Sequence, residues 1–194
     1  MNRYDIINRF IQERDYKSFL EIGTAQGETF NRVQAEVKVS VDPDKRTNAT
    51  YVMTSDEYFS KRKYHKNQQF DIVFVDGLHT AEQAYRDVQN AIKHLSSNGV
   101  IIMHDCHPTT EDMQKPFHGQ HFWTGDVWKA FFKLRSKLTA MMYTLDYDFG
   151  CGVIDYSKDA QDSLYELDVP MESMTYTDFV NHPEWMNFTK EWMG

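Results

Sequence analysis

The sequence lacks the features that mark secreted, membrane-embedded and disulfide-stabilised proteins. Its only cysteines are Cys106 and Cys151, too few for a disulfide framework, so a reducing cytoplasm is the expected compartment. No apolar run approaches the roughly 20 residues that a membrane-spanning helix needs. The first residues also lack the apolar core of a signal peptide. We therefore expect a cytoplasmic protein that has no membrane partner.

Basic residues are scarce as well. The chain has 21 Lys and Arg residues against 29 Asp and Glu residues, which gives a net charge of −8 at pH 7. This balance argues against a broad nucleic-acid-binding surface, so a small molecule is the expected partner. The length of 194 residues, with 41% hydrophobic residues, suits one globular domain over residues 1–194.

Two motifs of phosphate binding are absent, namely G-x-G-x-x-G and G-x-x-x-x-G-K-[ST]. In their place, Gly23 and Gly27 bracket a turn between a predicted buried strand at residues 18–22 and a predicted helix that begins near Gly27. Glycine allows positive φ and lets a ligand approach the backbone, and the helix would point its free N–H groups at the turn. Such a turn suits a nucleotide, a nucleoside or a carboxylate; an ordinary strand-to-helix loop is the alternative.

An acidic residue follows the second predicted strand, at residues 37–41. Asp42 lies 21 residues after Glu21, close to the spacing of roughly 20 at which an acidic residue meets a ribose in βαβ nucleotide sites. A carboxylate there can accept hydrogen bonds from both ribose hydroxyls. The alternative is that Asp42 caps a turn opened by Pro43.

Polar residues also follow the other predicted strands, and His and Asp residues cluster after two of them. The carboxyl ends of parallel strands meet at one rim of a sheet, so these residues predict a ligand site. His79 is the candidate general base, because its ordinary pKa leaves much of it neutral at pH 7. Histidines that only bond to nearby backbone are the alternative. The rim residues are Gly23, Asp42, Ser55, Asp56, Asp76, His79, His104, Asp105 and His107.

The remaining segments frame this core. A helix over residues 3–14 is predicted to pack on the sheet, with a dimer surface or a lid as alternatives. The long segment 108–123 reads as a loop that closes over an acceptor. A helix over 125–137 is followed by a hairpin of strands near 139–146 and 149–155.

In these features the sequence resembles the class I S-adenosylmethionine-dependent methyltransferases. Their first motif is an acidic residue followed by Gly-x-x-x-Gly, as in Glu21, Gly23 and Gly27. The resemblance is strongest to a small subgroup, some of whose members are found with genes for sugar and capsule modification. Similar stretches are residues 20–23, 41–43, 54–57, 74–79, 104–108, 125–129 and 148–153.

The resemblance implies an α/β, Rossmann-like, seven-stranded sheet with strand order 3-2-1-4-5-7-6, one antiparallel edge hairpin and helices on both faces. Residues 1–16 would form an N-terminal helix, 18–155 the cofactor-binding core and 157–194 a C-terminal helical extension. The implied cofactor is S-adenosylmethionine, and the implied reaction is O-methylation of a small polar acceptor such as a sugar. The implied cofactor-binding residues are Glu21, Gly23, Thr24, Gly27, Asp42, Ser55, Asp56 and Asp76.

The resemblance also implies catalytic residues at the rim, namely Asp76, His79, Asp105 and His107, with Asp76 and Asp105 as ligands of a divalent metal. The chain departs from metal-dependent relatives in two places, since Cys106 stands where the catechol type has Asn and His104 where the sugar type often has an acid. Zn²⁺ or Fe²⁺, which accept His together with Asp, are therefore alternatives to Mg²⁺. Two other functions stay open: a dinucleotide-binding oxidoreductase and a non-catalytic, cofactor-binding regulatory module.

Overall fold

The protein is described by a computed structural model that covers residues 1–61, 68–115, 122–158 and 169–194. Within these residues, one mixed sheet has the strand order 3-2-1-4-5-7-6-8. The predicted seven-strand order is confirmed, and an eighth strand extends it. The strands are β1 (Ser18–Ile22), β2 (Val37–Asp42), β3 (Tyr51–Val52), β4 (Phe70–Val75), β5 (Leu95–Met103), β6 (Met141–Leu145), β7 (Cys151–Asp155) and β8 (Phe188–Thr189).

Helices cover both faces of the sheet, as predicted. They are α1 (Arg3–Arg14), α2 (Glu28–Arg32), α3 (Ser55–Ser60), α4 (Ala81–Ile92), α5 (Val127–Arg135) and α6 (Tyr176–Asn181). Side chains of a strand alternate between faces, and β5 shows this directly: Ile101 and Met103 pack with α4 and α5, whereas Val100 and Ile102 pack with α1. The central strands are therefore rich in apolar residues, because both faces are buried.

The direction of the strands decides where polar residues meet. Strands β1 to β5 pair in parallel, β7 runs antiparallel between β5 and β6, and β8 pairs in parallel with β6. The predicted hairpin of β6 and β7 is thus confirmed, but β8 covers its outer strand. Because β6 runs parallel to the main strands, the hairpin turn lies at the same rim as the ends of β1, β4 and β5.

Helix α1 packs on the sheet, as predicted. Ile6, Ile7 and Phe10 are fully buried against the face that carries Ile72 and Phe74. The first turn of the helix is capped by Asn2, whose backbone N–H is 2.9 Å from a side-chain oxygen of Asp5. This placement brings the start of α1 to the rim of the sheet.

Strand β5 is longer than its apolar run. Helix α4 ends at Ile92, and β5 already begins at Leu95, before the apolar residues 100–103. Leu95 pairs with Phe70 of β4 across a bulge, so strand pairing extends over the polar residues 96–98.

The C-terminal extension is less helical than predicted. Residues 159–168 lie outside the described residues, and beyond them only α6 and two short 3₁₀ turns are helical. The chain then forms β8, where the backbone N–H of Asp146 donates to the carbonyl of Thr189 at 2.8 Å. Strand β8 thereby pairs with the backbone groups at the outer edge of β6. The aromatic and acidic sequence of this segment does not predict a strand.

The predicted loop at residues 108–123 contains a 3₁₀ turn at Glu111–Gln114, and residues 116–121 lie outside the described part of the chain. Its role as a lid therefore stays a prediction. No helix among the described residues has the length and apolar character needed to cross a membrane.

Candidate active site

The glycine turn after β1 packs directly against the end of β4. Gly23 has φ +88°, and a Cβ at this position would lie 2.1 Å from the carbonyl oxygen of Asp76. The Gly23 N–H donates to the carbonyl of Val41 at 2.9 Å. Only glycine fits here, because both the conformation and the space exclude a side chain.

Asp42 holds the glycine turn in place. Its Oδ2 accepts hydrogen bonds from the backbone N–H groups of Thr24 and Ala25, each at 2.9 Å, and its Oδ1 accepts one from Asp44 N–H at 2.8 Å. The prediction that Asp42 caps the turn after it is confirmed. Binding of a ribose stays a prediction, which the position of Asp42 on a cavity wall supports.

A cavity of about 450 Å³ opens beside this turn, within the size range of small-molecule sites. Its walls include apolar side chains from the ends of β1 and β2 and from the segment after β4. Polar side chains from α3 and α4 lie at one end, and Asp76 and His79 lie among the other lining residues. The cavity is lined by Ile22, Gly23, Ala25, Val41, Asp42, Pro43, Thr54, Ser55, Asp56, Asp76, Gly77, Leu78, His79, Gln83 and Asp87.

A second cavity, of about 370 Å³, adjoins the first. The two cavities share Gly23, Ala25, Asp76 and His79 as lining residues. The second cavity combines ionisable side chains with the rings of three aromatic residues. Its other lining residues are Arg3, Glu21, Thr24, Gln26, Glu28, Thr29, His104, Asp105, Phe122, Trp123 and Phe149.

The ends of β4 and β5 bring the predicted His/Asp cluster together. His79 Nδ1 lies 3.1 Å from Asp105 Oδ2, and His79 Nε2 lies 3.5 Å from Asp76 Oδ1. His104 Nδ1 lies 3.3 Å from Asp76 Oδ1 and 3.2 Å from Asp105 Oδ1. The convergence of Asp76, His79 and Asp105, expected from the strand order, is therefore present.

The buried His104 governs the charge of its neighbours. Burial alone would lower the pKa of His104, but Asp76 and Asp105 raise it well above the ordinary value. Burial alone would raise the pKa of Asp76, but the nearby His104 and His79 hold it below the ordinary value. The cluster thus places a buried imidazolium beside the side chains of Asp76 and Asp105.

His79 differs from the expectation in its protonation. Burial lowers its pKa, but Asp76 and Asp105 outweigh burial and raise the pKa above the ordinary value. The ring stacks on Trp123, with centroids 4.7 Å apart and an interplanar angle of 14°. The two carboxylates therefore favour the protonated form of His79, and a further positive charge beside them would favour the neutral form.

The donor set fits a divalent metal. One ligand atom each from Asp76, His79 and Asp105 lies within 4.8 Å of the others. His79 Nδ1 is buried and lacks a well-aligned hydrogen bond to the described residues, although Asp105 is close. Two carboxylates and one imidazole suit Zn²⁺ or Fe²⁺ better than Mg²⁺, which prefers oxygen ligands.

The other predicted cofactor residues have separate places. Glu21 is 1% exposed and, with Thr24, lines the second cavity rather than the first. Gly27 begins α2 with φ +74°. Ser55 and Asp56 line the first cavity, while Thr54 is the residue that caps α3, by accepting from Glu57 N–H.

His107 lies apart from the cluster. Its Nδ1 is 2.7 Å from Asp146 Oδ1, and its ring packs on Phe188 with centroids 4.4 Å apart. It is not among the described lining residues of either cavity. The structure thus does not bring this predicted catalytic residue to the other three.

Sequence reasoning missed Arg3, which lines the second cavity, and its partner Asp148. Arg3 Nη1 lies 3.1 Å from Asp148 Oδ2, and Arg3 Nε donates to Thr29 Oγ1 at 2.9 Å. Burial would raise the pKa of Asp148, but His104, whose Nε2 lies 3.7 Å away, and a hydrogen bond from Arg3 N–H lower it. The position of Asp148 at the rim of the sheet could have been predicted from the direction of β6, because that direction puts the hairpin turn at the rim. No local signal marked Arg3.

Comparisons with known proteins agree with this fold. Residues 20–106 match the family model described as a methyltransferase domain. An O-methyltransferase from Bacillus cereus, solved in complex with S-adenosylhomocysteine, is 13% identical, with a TM-score of 0.59 over 79% of this chain and 80% of that chain. The O-methyltransferase TomG from Streptomyces achromogenes, involved in tomaymycin synthesis and solved with S-adenosylmethionine, is 14% identical, with a TM-score of 0.56 over 78% of each chain.

A third similar structure is the methyltransferase PaMTH1 from Podospora anserina with bound S-adenosylhomocysteine. It is 16% identical, with a TM-score of 0.57 over 78% of this chain and 76% of that chain. No curated protein sequence matches the chain. Residues 20–106 are thus similar to a methyltransferase domain, and the solved methyltransferases have the same fold as this chain.

Proposed function

We propose that the chain binds S-adenosylmethionine in the first cavity and transfers its methyl group to an oxygen atom of a small polar acceptor, such as a sugar, in the second. The observation that carries this proposal is the junction of the two cavities at Gly23, Ala25, Asp76 and His79. A sulfonium at this junction would face an acceptor in the adjoining cavity. Methyl transfer needs such in-line placement, and positioning supplies much of the rate gain.

The second cavity's lining supports a hydroxylated acceptor. Asp76 and Asp105 can accept hydrogen bonds from hydroxyl groups, and Glu21 Oε2 and Thr24 Oγ1 are buried without a partner among the described residues. Phe122 and Phe149 are exposed, with ring centroids 5.6 Å apart, and offer apolar faces to the C–H side of a sugar ring.

A divalent metal at Asp76, His79 and Asp105 is part of the proposal. Such an ion would lower the pKa of a bound hydroxyl group by direct charge. The three side chains would hold the ion. The positive charge of His104 would offset part of the negative charge of the carboxylates, and stacking on Trp123 would fix the plane of the His79 ring. Two observations support a metal ion here: the three donor side chains lie close together, and the buried Nδ1 of His79 lacks a well-aligned hydrogen bond to the described residues.

Titration calorimetry with S-adenosylhomocysteine tests the cofactor assignment. We expect one molecule to bind per chain, and we expect Asp42→Ala to weaken binding by about 1.5–3 kcal/mol, the range for a hydrogen bond to a charged group. Asp44→Ala is the matched control, because Asp44 neighbours Asp42 but does not line the cavity. Tight binding of NAD without any binding of S-adenosylhomocysteine would instead favour a dinucleotide-dependent oxidoreductase.

Titration of the protein with Zn²⁺, Mn²⁺ and Mg²⁺ salts tests the metal assignment. We expect one ion per chain, and Asp105→Asn should weaken binding by at least tenfold because one of three ligands loses its charge. Asp146→Asn is the matched control, since Asp146 pairs with His107 outside the cluster. Equal affinity of Asp105→Asn and wild-type protein for every ion would remove the metal from the proposal.

A further inference from the structure

Phe149, in the turn between β6 and β7, combines two unfavourable features. Its φ is +60°, in the left-handed region, and the residue is 37% exposed to solvent. A left-handed backbone is unfavourable for a bulky L-residue, and contact with water is unfavourable for an apolar ring. Residues held in such conformations are concentrated at ligand sites, where the surrounding structure enforces them. Phe149 is therefore a candidate for contact with a ligand.

Other left-handed positions among the described residues carry side chains that suit them better. Asp and Asn tolerate this conformation because their short polar side chains can form local hydrogen bonds. An Asn at position 149 would therefore serve the turn better than Phe does, so the turn alone does not explain the aromatic ring. The other described non-glycine residues with positive φ are Asp15, Ala25, Asp105, Asp148 and Asn187.

The turn that carries Phe149 is anchored on two sides. Asp148 Oδ2 accepts a hydrogen bond from Arg3 N–H at 2.8 Å and lies 3.1 Å from Arg3 Nη1. On the other side, the carbonyl of Phe149 accepts a hydrogen bond from His107 N–H at 2.7 Å. These contacts use the side chain of Asp148 and the backbone of Phe149. They therefore hold the Phe149 ring in place without using the ring itself.

The ring of Phe149 lies at the outer part of the second cavity. It lines the cavity together with Phe122, which is 63% exposed, and the two ring centroids are 5.6 Å apart. By contrast, Asp105 and Glu21 line the same cavity but are only 4% and 1% exposed. Exposure thus rises from the acids to the rings. A molecule that places a hydroxyl group near Asp105 would bring its outer part against Phe149.

We propose that Phe149 is a specificity-determining residue that binds an apolar substituent of the acceptor, while the hydroxylated ring of the acceptor lies deeper, beside Asp76 and Asp105. The inference rests on the proposed function, because it takes the second cavity as the acceptor site. The acceptor class is then a glycoside with an apolar aglycone rather than a free sugar. Contact between the aglycone and the ring removes apolar surface of both from water, which favours binding.

Ligand-observed NMR titrations of the protein saturated with S-adenosylhomocysteine test this inference. The probes are phenyl β-D-glucopyranoside and methyl β-D-glucopyranoside, which share their hydroxyl groups and differ in the apolar group. We expect wild-type protein to bind the phenyl glycoside at least about tenfold more tightly. Phe149→Asn should reduce this preference to below about threefold, whereas Phe149→Tyr, which keeps an aromatic ring, should retain it.

Melting temperatures separate a role in binding from a role in folding. Phe149→Asn should leave the melting temperature unchanged or raise it by up to about 4 °C, because Asn adopts the left-handed conformation more easily. Val180→Asn is the matched control, since Val180 is also an exposed apolar residue but is not among the lining residues of either cavity. It should keep the preference for the phenyl glycoside.

Three results would overturn the inference while S-adenosylhomocysteine still binds. The first is a phenyl glycoside that binds no more tightly than the methyl glycoside, or the absence of binding of both. The second is retention of the full preference by Phe149→Asn, since other groups would then contact the aglycone. The third is a clear fall in the melting temperature of Phe149→Asn, which would make the ring a part of the folded core. Failure of wild-type protein to bind S-adenosylhomocysteine would instead overturn the proposed function.

Discussion

Glu21 shows how burial changes the chemistry of a single side chain. It is the acidic residue of the glycine motif, yet it is 1% exposed at the wall of the second cavity. Burial first, and the nearby charge of Asp76 second, raise its pKa to about 8. The folded protein therefore keeps a proton on Glu21 at pH 7, whereas the unfolded chain does not.

This difference predicts the pH dependence of a variant. Between the ordinary pKa of 4.5 and about 8, the folded state binds more protons at Glu21 than the unfolded state, so stability falls as pH rises. Glu21→Gln removes this titration. We expect the free energy of unfolding of the variant, relative to wild type, to increase by about 2–4 kcal/mol from pH 5 to pH 8.

Urea denaturation of both proteins at the two pH values measures this difference. Other titrating groups are common to both proteins and cancel in the comparison. A variant that is equally destabilised at pH 5 and pH 8 would show that Glu21 is already ionised in the folded state.

Single residues of the site could be predicted from the sequence only where they directly follow a recognisable strand. Asp76 and Asp105 follow apolar runs that are clearly buried strands, so their meeting at one rim followed from the fold. His107 follows the same strand as Asp105, but Cys106 N–H and His107 N–H donate to the hairpin at Gly150 and Phe149. The backbone there turns toward the hairpin, which a run of residues after a strand does not reveal.

At the scale of elements, the segment before α5 clamps the start of α4. Gly125 has φ +59°, and a Cβ there would lie 1.8 Å from the carbonyl oxygen of His79. Asp126 Oδ1 accepts a hydrogen bond from Ala81 N–H at 2.7 Å, close to the α4 N-terminus. The start of α4 is therefore held by Asp126, which lies 45 residues after Ala81.

Gly125→Ala should disrupt this clamp. We expect a loss of at least about 2–3 kcal/mol in the free energy of unfolding, because the backbone must move in addition to adopting positive φ with a side chain. Gly27→Ala is the matched control, since its φ is +74° but the nearest atom is a movable side-chain nitrogen of Asn31 at 3.1 Å. It should lose only about 1 kcal/mol.

Thermal and urea unfolding of the two variants give the comparison. Equal losses in both would mean that conformation alone, and not contact with His79, makes glycine necessary at position 125. A helix at the position of α5 was predicted from the sequence. This contact could not be predicted, because it joins backbone atoms from elements that are distant in sequence.

Long-range pairing also explains the elements that were missed. Strand β8 has two residues and no alternation of its own, and it exists because β6 offers an unpaired edge. The bulge that lengthens β5 likewise depends on Phe70 of β4. Local patterns carry no information about such partners.

For the whole molecule, topology decides the site. Parallel strands in the order 3-2-1-4 place the glycine turn, Asp42 and Asp76 beside one cavity. Helix α1 brings Arg3 to the neighbouring cavity, and the hairpin brings Asp148 against Arg3. The first arrangement could be predicted from motif spacing, whereas the second needed the packing of the chain ends on the finished sheet.

A crystal structure of the protein with S-adenosylhomocysteine tests the central claim most directly. The claim predicts the sulfur atom at the junction of the two cavities, beside Asp76 and His79, with the adenine between α3 and α4 near Asp87. A sulfur atom at the Ser55 end of the first cavity, with no open path to the second cavity, would contradict methyl transfer between the two.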